Sequence, residues 1–291
     1  MGYLFLAILA SFSISLLIKN NETRGANTEV VLASNYLTAA AVGWLFVLMD
    51  VSRSQGTSLQ ISQETLLLGL GGSLLWPAAF YLQMWGIRRY GVSVAGSVAR
   101  LSLSVPVLFA LAFLGERFTP LTTLGIVGAF AAFWLLSPFR KQSGPTHLDR
   151  HALWYFPTLL LIFGCVDLWA NLYTTWAPSG ERFLFMVIIF TGAGLLVWMA
   201  VGARRRAVDP ASFRRGLVLG VPNFFSTYFL MESLRSPSLQ GHSAIVYAVY
   251  SAMGVVLAFL AGRLIWREEL TGRNQLGVVL AVVAVVLLNV R

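Results

Sequence analysis

The chain has 291 residues, 57% of them hydrophobic and only 11% charged, with a net charge of +9. Soluble domains carry roughly 25% charged residues, so this composition excludes an ordinary water-facing globule and predicts an all-α integral membrane protein. The positive charge does not imply nucleic acid, because the basic residues sit in short loops between apolar runs and form no single basic face; the one cysteine, Cys165, excludes a disulfide framework or a Cys-based metal site.

A bilayer span needs about 20 mostly apolar residues. By that measure the sequence predicts ten helices, over residues 2–20, 29–49, 64–87, 91–114, 119–137, 152–176, 181–201, 213–235, 239–264 and 270–290. The first is expected to be retained and not cleaved as a leader: no basic stretch precedes it, no small-residue cleavage site follows it, and Lys19 and Arg24 come after it. Ordinary punctuation marks the ends, with Gly91, Pro120, Ser137-Pro138, Pro178-Ser179-Gly180 and Ser236-Pro237. Most connections are short, so chain neighbours form antiparallel hairpins. Residues 138–151, with Ser143-Gly144-Pro145, are expected to link a first five-helix half, 1–137, to a second, 152–291.

The halves repeat one another. Leu114-Gly115-Glu116-Arg117-Phe118-Thr119, followed by Gly125, matches Trp266-Arg267-Glu268-Glu269-Leu270-Thr271, followed by Gly277, at a constant offset of 152 residues. Each stretch joins two apolar runs. Five helices per half is an odd number, so the second copy enters the membrane from the opposite side and the repeats are inverted. Inverted repeats are a common transporter design, in which two halves rock about a site near the midplane. Trp76-Pro77 in helix 3 and Val221-Pro222 in helix 8 interrupt corresponding helices and point to such a site; the plainer reading is that proline is common in membrane helices.

Lys and Arg are unevenly divided between the two sides. The loops after helices 1, 3, 5, 7 and 9 hold fifteen, the other side five, and Arg100 lies inside a helix. Positive charge favours the cytoplasm, which places both termini on the non-cytoplasmic side of the cell inner (plasma) membrane.

Ten helices in two halves, each ending in a Leu-Gly-Glu-like junction and a last helix with Gly near its start, resemble the ten-helix, EamA-like branch of the drug/metabolite transporter superfamily. The likeness covers essentially the whole chain; Trp266-Arg267-Glu268 departs from the usual Leu-Gly-Glu. It implies a secondary-active transporter working by alternating access, a central cavity, and peripheral helices 5 and 10. The superfamily moves amino acids, nucleobases, sugar nucleotides, other metabolites and toxic compounds. The expected cargo is therefore a small organic metabolite or an amphipathic, amino acid-like or drug-like compound. The alternatives are a lipid-linked substrate flippase and a non-transporting membrane sensor or assembly partner.

Ionisable residues inside spans are costly and mark cavities or partners. Arg100 on helix 4 and Asp167 on helix 6 are the two foremost. Both helices run outward, and at about 1.5 Å per residue the two side chains differ by roughly 9 Å in depth. Asp167 is read as a proton or cation site and Arg100 as the holder of an anionic group such as a carboxylate; a structural ion pair is the other reading. Asn35, Tyr36, Trp76, Tyr81, Gln83, Asn171, Asn223, Tyr228, Tyr247 and Tyr250 are further candidates for the cavity wall, each with interhelical hydrogen bonding as the plainer role. Glu232 and Arg235 read as an interfacial pair, and Glu116 and Glu268 as carboxylates that favour the N-terminus of the helix following each. Gly69, Gly71, Gly72 and Ser73 are expected to let helix 3 pack closely.

Enzyme readings do poorly. No Gly-x-x-x-x-Gly-Lys-Ser/Thr loop and no His-Glu-x-x-His is present, and His147, His151 and His242 sit at helix ends or in loops. The expected partners are a small-molecule substrate and the lipid bilayer, with homodimer formation left open. No cofactor is expected, and proton coupling is likewise left open.

Overall fold

The computed structural model describes residues 2–53, 61–103, 105, 119–136, 150–236 and 243–289. Within these lie ten α helices and no strand: α1 Gly2–Thr23, α2 Thr28–Arg53, α3 Gln63–Tyr90, α4 Val92–Arg100, α5 Pro120–Leu136, α6 Arg150–Trp176, α7 Arg182–Ala203, α8 Pro210–Arg235, α9 Ser243–Leu264 and α10 Gly272–Asn289. Short 3₁₀ turns cover Leu101–Leu103 and Ser179–Glu181. The junction residues Leu114–Phe118 and most of the linker, 138–149, lie outside the described residues.

Local chemistry sets the helix ends. Asn27 opens α2, its Oδ1 accepting from the Glu29 and Val30 amides at 3.1 and 3.4 Å. Ser62 caps α3, its hydroxyl accepting from the Thr65 amide at 3.2 Å. That helix ends at Gly91, whose φ of +87° suits a residue without a side chain. Asp209 caps α8 through the Ser212 amide at 2.7 Å, with Pro210 at the first helical position. Helix α8 therefore starts at 210 and not at the expected 213.

Helix 4 departs further from expectation. The sequence predicts one helix over 91–114; α4 runs to Arg100 and passes into the 3₁₀ turn, residue 105 is again helical, and 104 and 106–114 lie outside the described residues. Arg100 is thus the last residue of a short α helix.

Packing pairs each half with the other. Helix α5 packs on α10, α4 on α9, α2 on both α7 and α8, α1 on α8, and α3 on both α6 and α7. Small residues bring α3 close to its neighbours, as its sequence predicts. Gly69 faces Ile188, Gly72 faces Ile189, and Ser73 sits against Gly192. Gly71 lies under the Trp169 ring, whose Nε1–H donates to the Leu68 carbonyl at 2.7 Å.

Two large apolar cores and two smaller clusters result among the described residues. One gathers Ile14, Tyr36, Phe80, Phe185, Phe190 and Phe224. The other gathers Val98, Ala132, Tyr155, Phe156, Val255 and Ala284. Each core draws side chains from both halves of the sequence.

The outer face is also apolar: Phe5, Leu48, Leu74, Trp134, Leu195 and Met199 are all exposed. Among the described residues, α1, α2, α3, α6 and α7 are long and apolar enough to cross a membrane, and shorter apolar helices lie within α5, α9 and α10. These are the features of a membrane-embedded protein.

Candidate binding cavity

Residues of α1, α3, α4 and its 3₁₀ extension, α6, α7, α8 and α9 converge on one cavity of about 190 Å³. Helices α2, α5 and α10 contribute none of its lining.

Arg100 enters from the C-terminal end of α4. Its guanidinium lies over the Tyr250 ring, 4.5 Å from the centroid, and Nη2 donates to the Ser11 hydroxyl of α1. Gly254 of α9 makes room for this path, since a Cβ there would sit 2.7 Å from the Arg100 Nε. No carboxylate pairs with Arg100 among the described residues.

Asp167 enters from the middle of α6. Its Oδ2 accepts from the Ser102 hydroxyl at 2.7 Å, and Oδ1 has no partner among the described residues. Arg100 and Asp167 line the same cavity without closing an ion pair. Each of the two groups has one serine as hydrogen-bond partner, Ser11 for Arg100 and Ser102 for Asp167.

The other walls come from two continuous helices that each carry an internal proline. Proline removes an amide from the helical ladder and frees the carbonyl one turn before it. Trp76 precedes Pro77 on α3, Asn223 follows Pro222 on α8, and both side chains line the cavity. Asn223 is 4% exposed, and its Nδ2 has no partner among the described residues. Ser226 and Thr227 continue this polar strip along α8, and Phe80 and Phe185 supply apolar faces opposite it. Phe185 is held by a stacked Tyr173 ring at 3.8 Å. Pro157 of α6 is a third helical proline, but no residue beside it lines the cavity.

Of the sequence-predicted candidates, the structure brings together Arg100, Asp167, Trp76, Gln83, Asn223, Tyr247 and Tyr250. It places the others elsewhere. Asn35 and Tyr36 are fully buried in α2, with Tyr36 packed between Phe80 and Phe190. The Asn35 amide and the Tyr36 hydroxyl have no hydrogen-bond partner among the described residues. Tyr81 lies exposed on the outer face. Tyr228 belongs to an aromatic group with Phe46, Phe183 and Phe224. The Asn171 side chain lies outside those described.

Glu232 meets Arg182 of α7 at 3.1 Å, and the Arg235 side chain lies outside those described. Glu268 caps α4 and not the helix that follows it: Oε1 accepts from the Val92 amide at 2.8 Å and Oε2 from the Ser93 amide at 3.1 Å. Glu116 lies outside the described residues.

Sequence reasoning overlooked Ser11, Ser102, Ser226, Thr227 and Ser251. For Ser11 a signal existed, because Leu4, Ala7, Ser11, Ile14 and Ile18 form a buried stripe at helical spacing. No group of three or more His, Cys, Asp or Glu that could hold a metal occurs among the described residues.

No family model matches the chain. An uncharacterized protein of Haemophilus influenzae is 26% identical over 291 residues, spanning 98% of this chain and 96% of its own length. The fold is similar to that in a crystal structure of a protein with a TM-score of 0.60 and 18% sequence identity, covering 98% of this chain and 94% of that one.

Proposed function

We propose that the chain is a secondary transporter of the ten-helix drug/metabolite type, carrying a small organic solute across the cytoplasmic membrane by alternating access. In this reading the ten spans predicted from the sequence, the fourth of which begins with α4, cross the bilayer as two inverted repeats, with both termini on the non-cytoplasmic side. One observation carries the proposal. The cavity encloses an Arg100 cation without an acidic partner and an Asp167 carboxylate with an open oxygen, inside a bundle that is apolar outside. A purely structural pair would close on itself, and intramembrane charges held apart around a cavity mark a solute path.

The packing pattern supports the repeat. Exchanging the halves turns α3–α6 into α8–α1 and α3–α7 into α8–α2, while α2–α7, α4–α9 and α5–α10 map onto themselves; all of these contacts are present.

Cavity size narrows the cargo. At about 190 Å³ the space falls below the roughly 300–1,000 Å³ of drug-sized pockets. It favours a small metabolite, amino acid-like in its charges, over a bulky amphipathic drug or a lipid-linked cargo. An anionic group would face Arg100 and an amine Asp167, with Asn223 free to accept or donate beside them.

The test is counterflow into proteoliposomes preloaded with unlabelled amino acids, nucleobases or small amines. Accumulation of one labelled class, lost in Arg100→Gln and Asp167→Asn proteins that keep their thermal stability, is expected. Uptake no greater than in protein-free liposomes for every class would overturn the reading.

A further inference from the structure

We infer that Glu268, on the α9–α10 connection, is a positioning residue for the cavity: it fixes helix α4 so that Arg100 presents its guanidinium to the solute. This rests on the reading of Arg100 as the anion-holding group.

The geometry is specific. Helix α4 has no side-chain cap of its own, because Gly91 precedes it. The first amides of a helix need acceptors and carry partial positive charge. Glu268 fills that need from 176 residues away in sequence, one oxygen to each of the Val92 and Ser93 amides. Two glycines wall the carboxylate in. A Cβ on Gly91 would lie 2.6 Å from Oε1, and one on Gly262 2.4 Å from Oε2. Glu268 is itself tied down, its amide donating to the Gly262 carbonyl at 2.9 Å. No basic side chain pairs with this carboxylate among the described residues, so the helix terminus is its counter-charge.

The rest of α4 lies on α9 by close approach. Gly96 leaves only 3.0 Å between an added Cβ and Ala258, and Gly254 receives Arg100. The helix is thus clamped at its start by Glu268 and at its end by its own arginine. Only eight residues separate Val92 from Arg100, about 12 Å at about 1.5 Å per residue. A shift of the cap turns or slides α4 as a rod and moves the guanidinium with it. Arg100 and Ser102 are carried on this rod and its 3₁₀ extension, so both cavity charges depend on the clamp.

A cavity cysteine reads the field that Arg100 sets up. The reporter is Thr227→Cys in a Cys165→Ser background, since Thr227 lines the cavity from α8. The rate of its modification by an anionic methanethiosulfonate is divided by the rate with a cationic one. Arg100→Gln lowers this ratio at least fivefold. Glu268→Gln is expected to lower it at least threefold, even though removing a negative charge would by long-range electrostatics raise it. The opposite signs separate positioning from a mere change of field. Glu268→Asp, which keeps the charge but shortens the reach to the Val92 and Ser93 amides, gives the same fall and serves if Glu268→Gln does not fold. A ratio unchanged or raised in both variants overturns the inference and leaves Glu268 as a cap of the fold alone. No effect of Arg100→Gln would instead overturn the assignment of Arg100.

Discussion

Ser102 and Asp167 are joined by one hydrogen bond of 2.7 Å, from the hydroxyl to Oδ2, and that bond leaves the second carboxylate oxygen open to the cavity. The serine orients the acid without neutralising it. Asp167→Asn keeps an oxygen that can accept from Ser102 and removes only the charge. Its expected effect is at least a tenfold loss of affinity for an amine-bearing probe such as L-leucine, equivalent to about 1.4 kcal/mol. Ser102→Ala loses one orienting bond and costs less, within about fivefold. Isothermal titration of both variants distinguishes a charge-based role from a geometric one; equal losses would mean that orientation, not charge, is what matters.

Close helix crossings make some glycines irreplaceable and others not. At Gly71 an added Cβ would lie 2.2 Å from the Trp169 ring, which cannot retreat without giving up its hydrogen bond to Leu68. Overpacking of this kind costs about 1–3 kcal/mol, so Gly71→Ala lowers the melting temperature in detergent. Gly202, in the last turn of α7, has nothing within 4 Å of an added Cβ. There Gly202→Ala stabilises by up to about 1 kcal/mol, because alanine is the better helix former. Differential scanning fluorimetry of the two proteins side by side checks the opposite signs.

Acid should loosen the start of α3. Glu181, in the turn before α7, is pushed up by partial burial, but hydrogen bonds from Thr65 and from the Ser62 amide and hydroxyl outweigh this and hold it below its ordinary 4.5. A carboxylate with a lowered folded-state value contributes stability above its unfolded value and loses it as pH falls through the folded one. Glu181→Gln therefore melts lower than the parent at pH 7. The gap, about 1 kcal/mol at most for so solvated a site, closes below about pH 4. A gap that stays constant from pH 7 to 3.5 would show that the hydrogen bonds act regardless of charge.

The helices were largely legible because apolar runs of bilayer length leave few other options. The exceptions have local or tertiary causes. Asp209-Pro210 is a readable cap and first-turn pair that extends α8 beyond the apolar run. The break after Arg100 had a readable signal in Pro106, inside the run read as one helix, since a proline disrupts the helical ladder about one turn before it. Arg100 and Asp167 stood out as charges in apolar segments. Asn35 and Asn223 look equivalent in sequence, yet only Asn223 lines the cavity. When most faces of a helix are apolar, periodicity does not say which one turns inward. The serines carried little signal, since a serine in a helix can satisfy itself on the preceding turn, as Ser73 does on Gly69 at 3.0 Å. Glu268 was legible as a carboxylate for a helix N-terminus, but not for which helix, its partners lying 176 and 175 residues away.

The contact between Arg100 and Tyr250 allows the anion-holding role to be dissected. The guanidinium lies 4.5 Å from the ring centroid, where a desolvated cation–aromatic contact contributes about 0.5–2 kcal/mol. The ring face covers one side of the guanidinium and Nη2 donates to Ser11, so a planar anion such as a carboxylate would meet the remaining N–H groups. Tyr250→Phe keeps the face and is expected to bind the L-leucine probe within twofold of the parent. Tyr250→Leu fills similar space without the aromatic face and is expected to weaken binding about two- to thirtyfold, the factor that 0.5–2 kcal/mol implies. N-acetyl-leucine, which keeps only the carboxylate, should respond to Tyr250→Leu as leucine does, whereas leucine amide, which keeps only the amine, should not. If Phe and Leu at position 250 weaken binding equally, the tyrosine hydroxyl acts on the solute directly, and the ring is not what holds Arg100 in place.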